Sequence, residues 1–141
     1  MTEYFELTEE WEKSIYDRRI ADRFYIYFIG GAGLVKIGRT IKPVAERIGS
    51  FQTGSPVELE LLATATIHVD MPSHRVKLKS QADSVEKVVH KRFSAYRRHG
   101  EWFSNPGIIL CEASQSEFWF DVLKEANLDS NCVGFRFTEG R

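Results

Sequence analysis

The sequence predicts an α/β (α+β) fold: a small three-stranded antiparallel sheet flanked by helices. Three observations lead there. Residues 24–38 (FYIYFIGGAGLVKIG) alternate in two short runs separated by a glycine cluster, the pattern of a β-hairpin. Residues 58–68 (ELELLATATIH) alternate loosely and are rich in Leu, Thr and Ile, which suits a third strand. Residues 40–52 and 82–98 instead repeat apolar side chains at helical spacing, the stripe a helix lays against a core.

Each element has a local reason. Residues 8–19 (TEEWEKSIYDRR) read as a short packing helix, with Thr8 as cap and Glu9 and Glu10 at its positive end. In the hairpin, Phe24, Ile26 and Phe28 form one face, and Tyr25, Tyr27 and Ile29 the other. A loop centred on Gly31–Ala32 sets Phe28 opposite Val35 and Tyr27 opposite Lys36. A phenol and an ammonium then project side by side from one face. Thr40 reads as the N-cap of the next helix, with Pro43 in its first turn. Val44, Ile48 and Phe51 make its buried stripe, and Arg47 lies one step off it. Such an arginine either snorkels over the core or faces a phosphate. Thr53-Gly54-Ser55-Pro56 ends that helix.

Residues 69–81 (VDMPSHRVKLKSQ) carry Pro72 and the cations Arg75, Lys77 and Lys79. Two readings stand: a mobile basic loop running along a nucleic-acid backbone, or a short extra hairpin with no binding role. The helix over 82–98 starts at Asp83 or Ser84 and buries Val85, Val88, Val89, Phe93 and Tyr96. Glu86, His90 and Arg97 share its adjoining face, half-withdrawn from water. Trp102 and Phe103 read as an aromatic anchor under that face. A third helix spans 111–128, with Phe118, Val122 and Leu123 inward, and 133–137 adds an edge strand.

At 141 residues the chain is one domain, 1–141, with 43% hydrophobic and 28% charged residues, the balance of an ordinary soluble protein. No apolar run reaches membrane-spanning length, and the acidic start is wrong for a secretory signal. Cys111 and Cys132 are the only cysteines, so a reducing, cytoplasmic setting is expected. The net charge of −1 hides an uneven distribution. Residues 23–101 hold thirteen bases against seven acids, and both flanks are acidic. A basic centre suits a phosphate-binding surface, although it also suits plain solvation of the central helix. The four histidines and two cysteines lack the paired spacing of a structural zinc site, and Gly30-Gly31-Ala32-Gly33 lacks the Lys-Ser/Thr of a P-loop. No Ser-His-Asp or Cys-His arrangement is detectable.

A family resemblance rests on several short blocks in order. They are Tyr25-Ile26-Tyr27, Val35-Lys36-Ile37-Gly38, Arg47, Gln52-Thr53-Gly54-Ser55-Pro56, Glu86 to Phe93 (EKVVHKRF) and Gly100-Glu101-Trp102-Phe103. Across 24–103 the chain resembles the GIY-YIG nuclease superfamily. It is most similar to a phage and bacterial branch that has Lys-Ile-Gly in place of Tyr-Ile-Gly and is named after a meiotically up-regulated gene. The resemblance implies a GIY-YIG-type fold with extra N- and C-terminal elements, and a metal-dependent endonuclease acting on DNA. It further implies that Glu86 holds Mg²⁺ (or Mn²⁺), that Arg47 stabilises the phosphate, and that Arg39 adds a second positive contact. Tyr27 then orients or deprotonates the water, or hydrogen-bonds the phosphate. Where better-studied relatives have a tyrosine as general base, this chain has Lys36. It acts either as a proton acceptor, eased by neighbouring cations, or as a fixed phosphate-binding charge, which leaves Tyr27 or His90 as base. The nucleic-acid contacts are expected at Arg75, Lys77, Lys79 and Arg97. The alternative is a catalytically inactive module that kept the scaffold and binds nucleic acid or a partner.

Overall fold

The computed structural model describes residues 5–6, 22–69, 75–128 and 133–140. The strands are β1 (Phe5–Glu6), β2 (Asp22–Gly31), β3 (Leu34–Thr40), β4 (Glu60–Val69), β5 (Arg97–His99), β6 (Trp102–Phe103) and β7 (Val133–Glu139). The helices are α1 (Val44–Thr53), α2 (Arg75–Arg92), α3 (Pro106–Ala113) and α4 (Ser116–Glu125), with a short 3₁₀ turn at Ser94–Tyr96. The expected helix over 8–19 lies outside the described residues.

One sheet runs through the molecule in the order β1-β7-β4-β2-β3-β6-β5. Six strands pair antiparallel, and the two-residue β1 joins β7 in parallel. The sheet is therefore larger than the three strands expected. The expected edge strand at 133–137 is longer and lies inside the sheet, between β1 and β4. The strands β5 and β6 escaped notice because each is only two or three residues long, too short to show alternation.

The alternation of β2 sorts the two faces as read. Phe24, Ile26 and Phe28, with Val35 and Ile37 of β3, belong to the larger core, which α2, α3 and α4 cover. Tyr27, Ile29 and Val44 form a smaller cluster on the other face, under α1, together with Ile48, Phe51 and Leu59. The hairpin register differs from expectation by two residues: Tyr27 pairs with Gly38, Phe28 with Ile37, and Ile29 with Lys36. The physical reason is the turn. Its two central residues are Ala32 (φ 53°) and Gly33 (φ 78°), both left-handed, as a two-residue hairpin loop requires. An alanine in that conformation is uncommon, and the glycine to its left drew the expected turn centre one position early.

Other boundaries move as well. Thr40 is the last residue of β3 rather than a helix cap, and α1 starts after Pro43. Thr40 Oγ1 instead accepts the Lys42 N–H at 3.0 Å and shapes the strand-to-helix turn. Within the expected basic loop, Val69 ends β4 and residues 75–81 are the first two turns of α2. Arg75 and Lys79 are thus helical, as is Lys77 between them. The same helix ends at Arg92, so Arg97 is not on the face of Glu86 and His90; it lies in β5. The expected helix over 111–128 is two helices, broken at Ser114–Gln115.

Candidate active site at the open edge of strand β3

Strand β6 pairs with β3 only at Val35 and Lys36. Beyond that point the outward N–H and C=O groups of β3 need other partners. They find them in the turn before β6 and on α2. The Ile37 N–H donates to the Glu101 carbonyl at 2.9 Å. The Ile37 carbonyl accepts from His90 Nε2 at 2.8 Å. Two residues on, the Arg39 N–H donates to the Glu86 carboxyl group. The i, i+4 pair Glu86 and His90 therefore reads the i, i+2 spacing of an open strand edge.

Tyr27 reaches the same place through the sheet. Its ring lies across Gly38, where an added Cβ would meet the phenol oxygen and the ring itself. Only glycine leaves that space, which explains the Gly of Lys-Ile-Gly. The phenol is buried, 1% exposed, and accepts a hydrogen bond from Arg47. Burial and the nearby Glu101 charge push its pKa up to about 12, against the lowering effect of Arg47. Tyr27 thus keeps its proton at neutral pH. Arg47 extends from α1 over the Phe51 ring, 4.7 Å from its centroid, and its buried Nε has no hydrogen-bond partner among the described residues.

Glu86 is half-buried, and its charge is felt at Tyr27. Desolvation and then the Glu101 charge raise its pKa from 4.5 to about 7, while Arg39 pulls the other way. Glu101 was read only as a neighbour of the aromatic anchor; its carboxylate is 3.8 Å from Lys36 Nζ and its charge acts on Tyr27, Arg39, Glu86 and His90. The signal that would have found it was an acid inside a block already tied to the site. His90 is held by the Ile37 carbonyl and lies 5.1 Å from the Phe103 ring, and burial lowers its pKa. Since a carbonyl only accepts, Nε2 carries a proton and Nδ1 is the nitrogen left to accept one.

The site thus gathers Tyr27, Lys36, Arg47, Glu86, His90 and Glu101 from β2, β3, α1, α2 and the turn before β6. Arg39 is close, but its guanidinium pairs with Asp83 on α2 rather than standing free. Of the expected nucleic-acid contacts, Lys79 is exposed on α2, and Arg97 donates from Nε to the Gly100 carbonyl at 2.9 Å. The aromatic anchor divides. Phe103 is fully buried in the larger core, whereas Trp102 is half-buried on the opposite face beside Lys36. Cys111 is an exposed free thiol that lines a shallow groove on α3.

Among the described residues no three acids, histidines or cysteines cluster closely enough to encage a metal. Glu86 and Glu101 nevertheless lie near enough to interact electrostatically, which raises the Glu86 pKa. That donor set fits a hard divalent cation that keeps most of its waters, as Mg²⁺ does. No helix among the described residues is long and apolar enough to cross a membrane. No curated protein and no solved structure matches the chain significantly. A family model does match, over residues 24–125. The chain belongs to the T5orf172 domain family, a domain found in phage and bacterial nuclease-like proteins.

Proposed function

We propose that the protein is a metal-dependent endonuclease of GIY-YIG type that hydrolyses phosphodiester bonds in DNA in the cytoplasm. The observation that supports this most strongly is that Tyr27, over Gly38, accepts a hydrogen bond from Arg47 and also feels the charge of Glu86, although the three come from elements far apart in the chain. Phosphodiester hydrolysis needs positive charge at the phosphoryl oxygens, a placed water and help for the leaving oxygen. Glu86 would hold Mg²⁺ or Mn²⁺, with Glu101 beside it. A cation bound there supplies charge neutralisation at the phosphoryl oxygens.

The remaining work falls to the chain itself. Arg47, whose guanidinium donates to the Tyr27 phenol, would bring its positive charge to a phosphate oxygen. Tyr27 keeps its proton and therefore donates, to the phosphate or to the incoming water, rather than acting as base. Lys36, between two rings and 3.8 Å from Glu101, serves as a fixed positive charge. His90 Nδ1 is then the acceptor best suited to take a proton near neutral pH, since burial favours its neutral form. Arg39 holds Asp83 and the edge of α2 in place.

The test is plasmid nicking with Mg²⁺ or Mn²⁺, comparing wild type with Glu86→Ala. A carboxylate destabilised by burial and by Glu101 does not hold the fold together, so the variant is expected to fold and to bind DNA while losing strand cleavage. Nicking that survives the substitution in clean protein overturns the assignment. Binding by the wild type without cleavage under either metal supports instead a non-catalytic nucleic-acid-binding module.

A further inference from the structure

Beside the candidate active site, on the same face of the sheet, lies a cavity of about 610 Å³ that the proposed chemistry does not use. Its size is that of a small-ligand site, roughly 300–1,000 Å³. Phe51 and Trp102 supply aromatic walls, and Leu34, Leu59 and Pro56 complete an apolar lining. The charged groups around it are Lys36 and Arg98, joined by His99; no acid lines it. Lys36 Nζ lies 4.5 Å from the Phe51 ring centroid and 5.7 Å from that of Trp102. The same ammonium is 3.8 Å from Glu101, so one side chain joins the cavity to the catalytic cluster.

The cavity is also built rather than incidental. Gln52, at the end of α1, donates from Nε2 to the Val57 carbonyl at 3.0 Å and accepts the Leu59 N–H at Oε1, 2.7 Å away. Ser55 Oγ donates to the Val57 carbonyl at 3.0 Å. These bonds hold residues 54–59 as a fixed wall. Gly31 contributes by having no side chain, since a Cβ there would meet Leu59 at 2.8 Å.

We infer that this cavity holds an unpaired nucleobase of the DNA strand being cut, stacked against Trp102, with its phosphate toward Lys36. Flat aromatic walls under a cationic rim, with no acid, match a base attached to a phosphodiester. A base still paired in a duplex presents only its edge and cannot lay its face on the Trp102 ring. The substrate class is therefore single-stranded DNA, or duplex DNA in which a nucleotide is already or readily extruded. The direction of the phosphate rests on the nuclease reading; the base site itself does not.

The test measures binding of the full chain, in EDTA so that nothing is cleaved, to a labelled oligothymidylate, an abasic strand of equal length and a blunt duplex. The wild type is expected to bind the oligothymidylate about tenfold or more tighter than the abasic strand, and more tightly than the duplex. Trp102→Ala is expected to weaken oligothymidylate binding by about 5- to 100-fold, to leave abasic binding unchanged, and to be largely rescued by Trp102→Phe. Equal wild-type affinity for the abasic and base-bearing strands overturns the proposal, and that comparison needs no variant that folds. So does a Trp102→Ala loss that is the same for both strands. Plasmid nicking reads the other assignment separately. Base-dependent binding without cleavage keeps the cavity and removes the nuclease; cleavage with base-independent binding does the reverse.

Discussion

Glu86 shows at the level of one side chain how the site differs from a stabilising ion pair. Its carboxyl group receives one backbone N–H and the attraction of Arg39, yet desolvation and Glu101 outweigh both and raise its pKa from 4.5 to about 7. The sign follows from linkage. A folded-state pKa above the unfolded value means stability that is complete below about pH 4.5 and is lost as pH rises through about 7. Glu86→Gln removes that loss. The variant is expected to be more stable than wild type at pH 8, by on the order of 1 kcal/mol once the partial exposure of the group is allowed for, and nearly equal to it at pH 5. Urea denaturation at the two pH values checks this; a difference that does not change with pH would show that Glu86 is not the group strained by ionisation. The role proposed for Glu86 rests, on the side of the sequence, only on its family block, because helical spacing places many glutamates beside a stripe. Glu101 was missed for a related reason: in Gly100-Glu101-Trp102-Phe103 the two aromatics dominate the reading, and only the fold reveals that the acid faces the others.

The β2–β3 hairpin carries the site at the level of elements, and here the sequence was informative about faces but not about register. Alternation in 24–29 assigned Phe24, Ile26 and Phe28 to one side and Tyr27 to the other, which the packing bears out. A shift of two residues preserves sides, so the same pattern could not detect it. The shift nonetheless decides what Tyr27 meets: Gly38 rather than Lys36. Gly38→Ala therefore places a methyl group against the Tyr27 phenol and within 2.8 Å of its Cε1. The expected cost is about 1–3 kcal/mol by thermal melting, with a larger proportional loss of nicking, because the ring must leave the site. Tyr27→Phe in the same chain is not expected to rescue it, since the ring remains; full rescue would mean that the clash involves the hydroxyl alone. The start of α2 was hidden differently. Arg75 to Lys79 reads as basic loop because its three cations outnumber Val76 and Leu78, the apolar residues that mark a helix face, and of those Leu78 is buried. The far end was overrun because Tyr96 and Arg97 continue the apparent period past Phe93, where the chain leaves the helix for a 3₁₀ turn and β5.

For the whole molecule, the family match extends to residue 125, past the last short block at 103. Thus α3 and α4, expected as appendages, belong to the domain. Their Ile109, Ala113, Trp119, Val122 and Leu123 are fully buried against the face of the sheet opposite Tyr27. They brace α2, whose Lys91 and Arg92 both pair with Glu125 of α4. No sequence period announces that role, because it depends on which helices share a sheet face. Charge divides along the chain, with thirteen bases in 23–101 and acids toward both ends. The proposed function joins fold, charge and site in one expectation: Glu86, its pKa raised in part by Glu101, would hold a divalent cation at the edge of β3. Calorimetric titration of Mn²⁺ at pH 7, in buffers of different ionisation enthalpy, tests this most directly. With Glu86 near its midpoint, wild type is expected to bind the ion and to release about half a proton per ion bound, and Glu86→Gln to lose both the release and most of the affinity. Mn²⁺ binding that is unchanged in Glu86→Gln would contradict it.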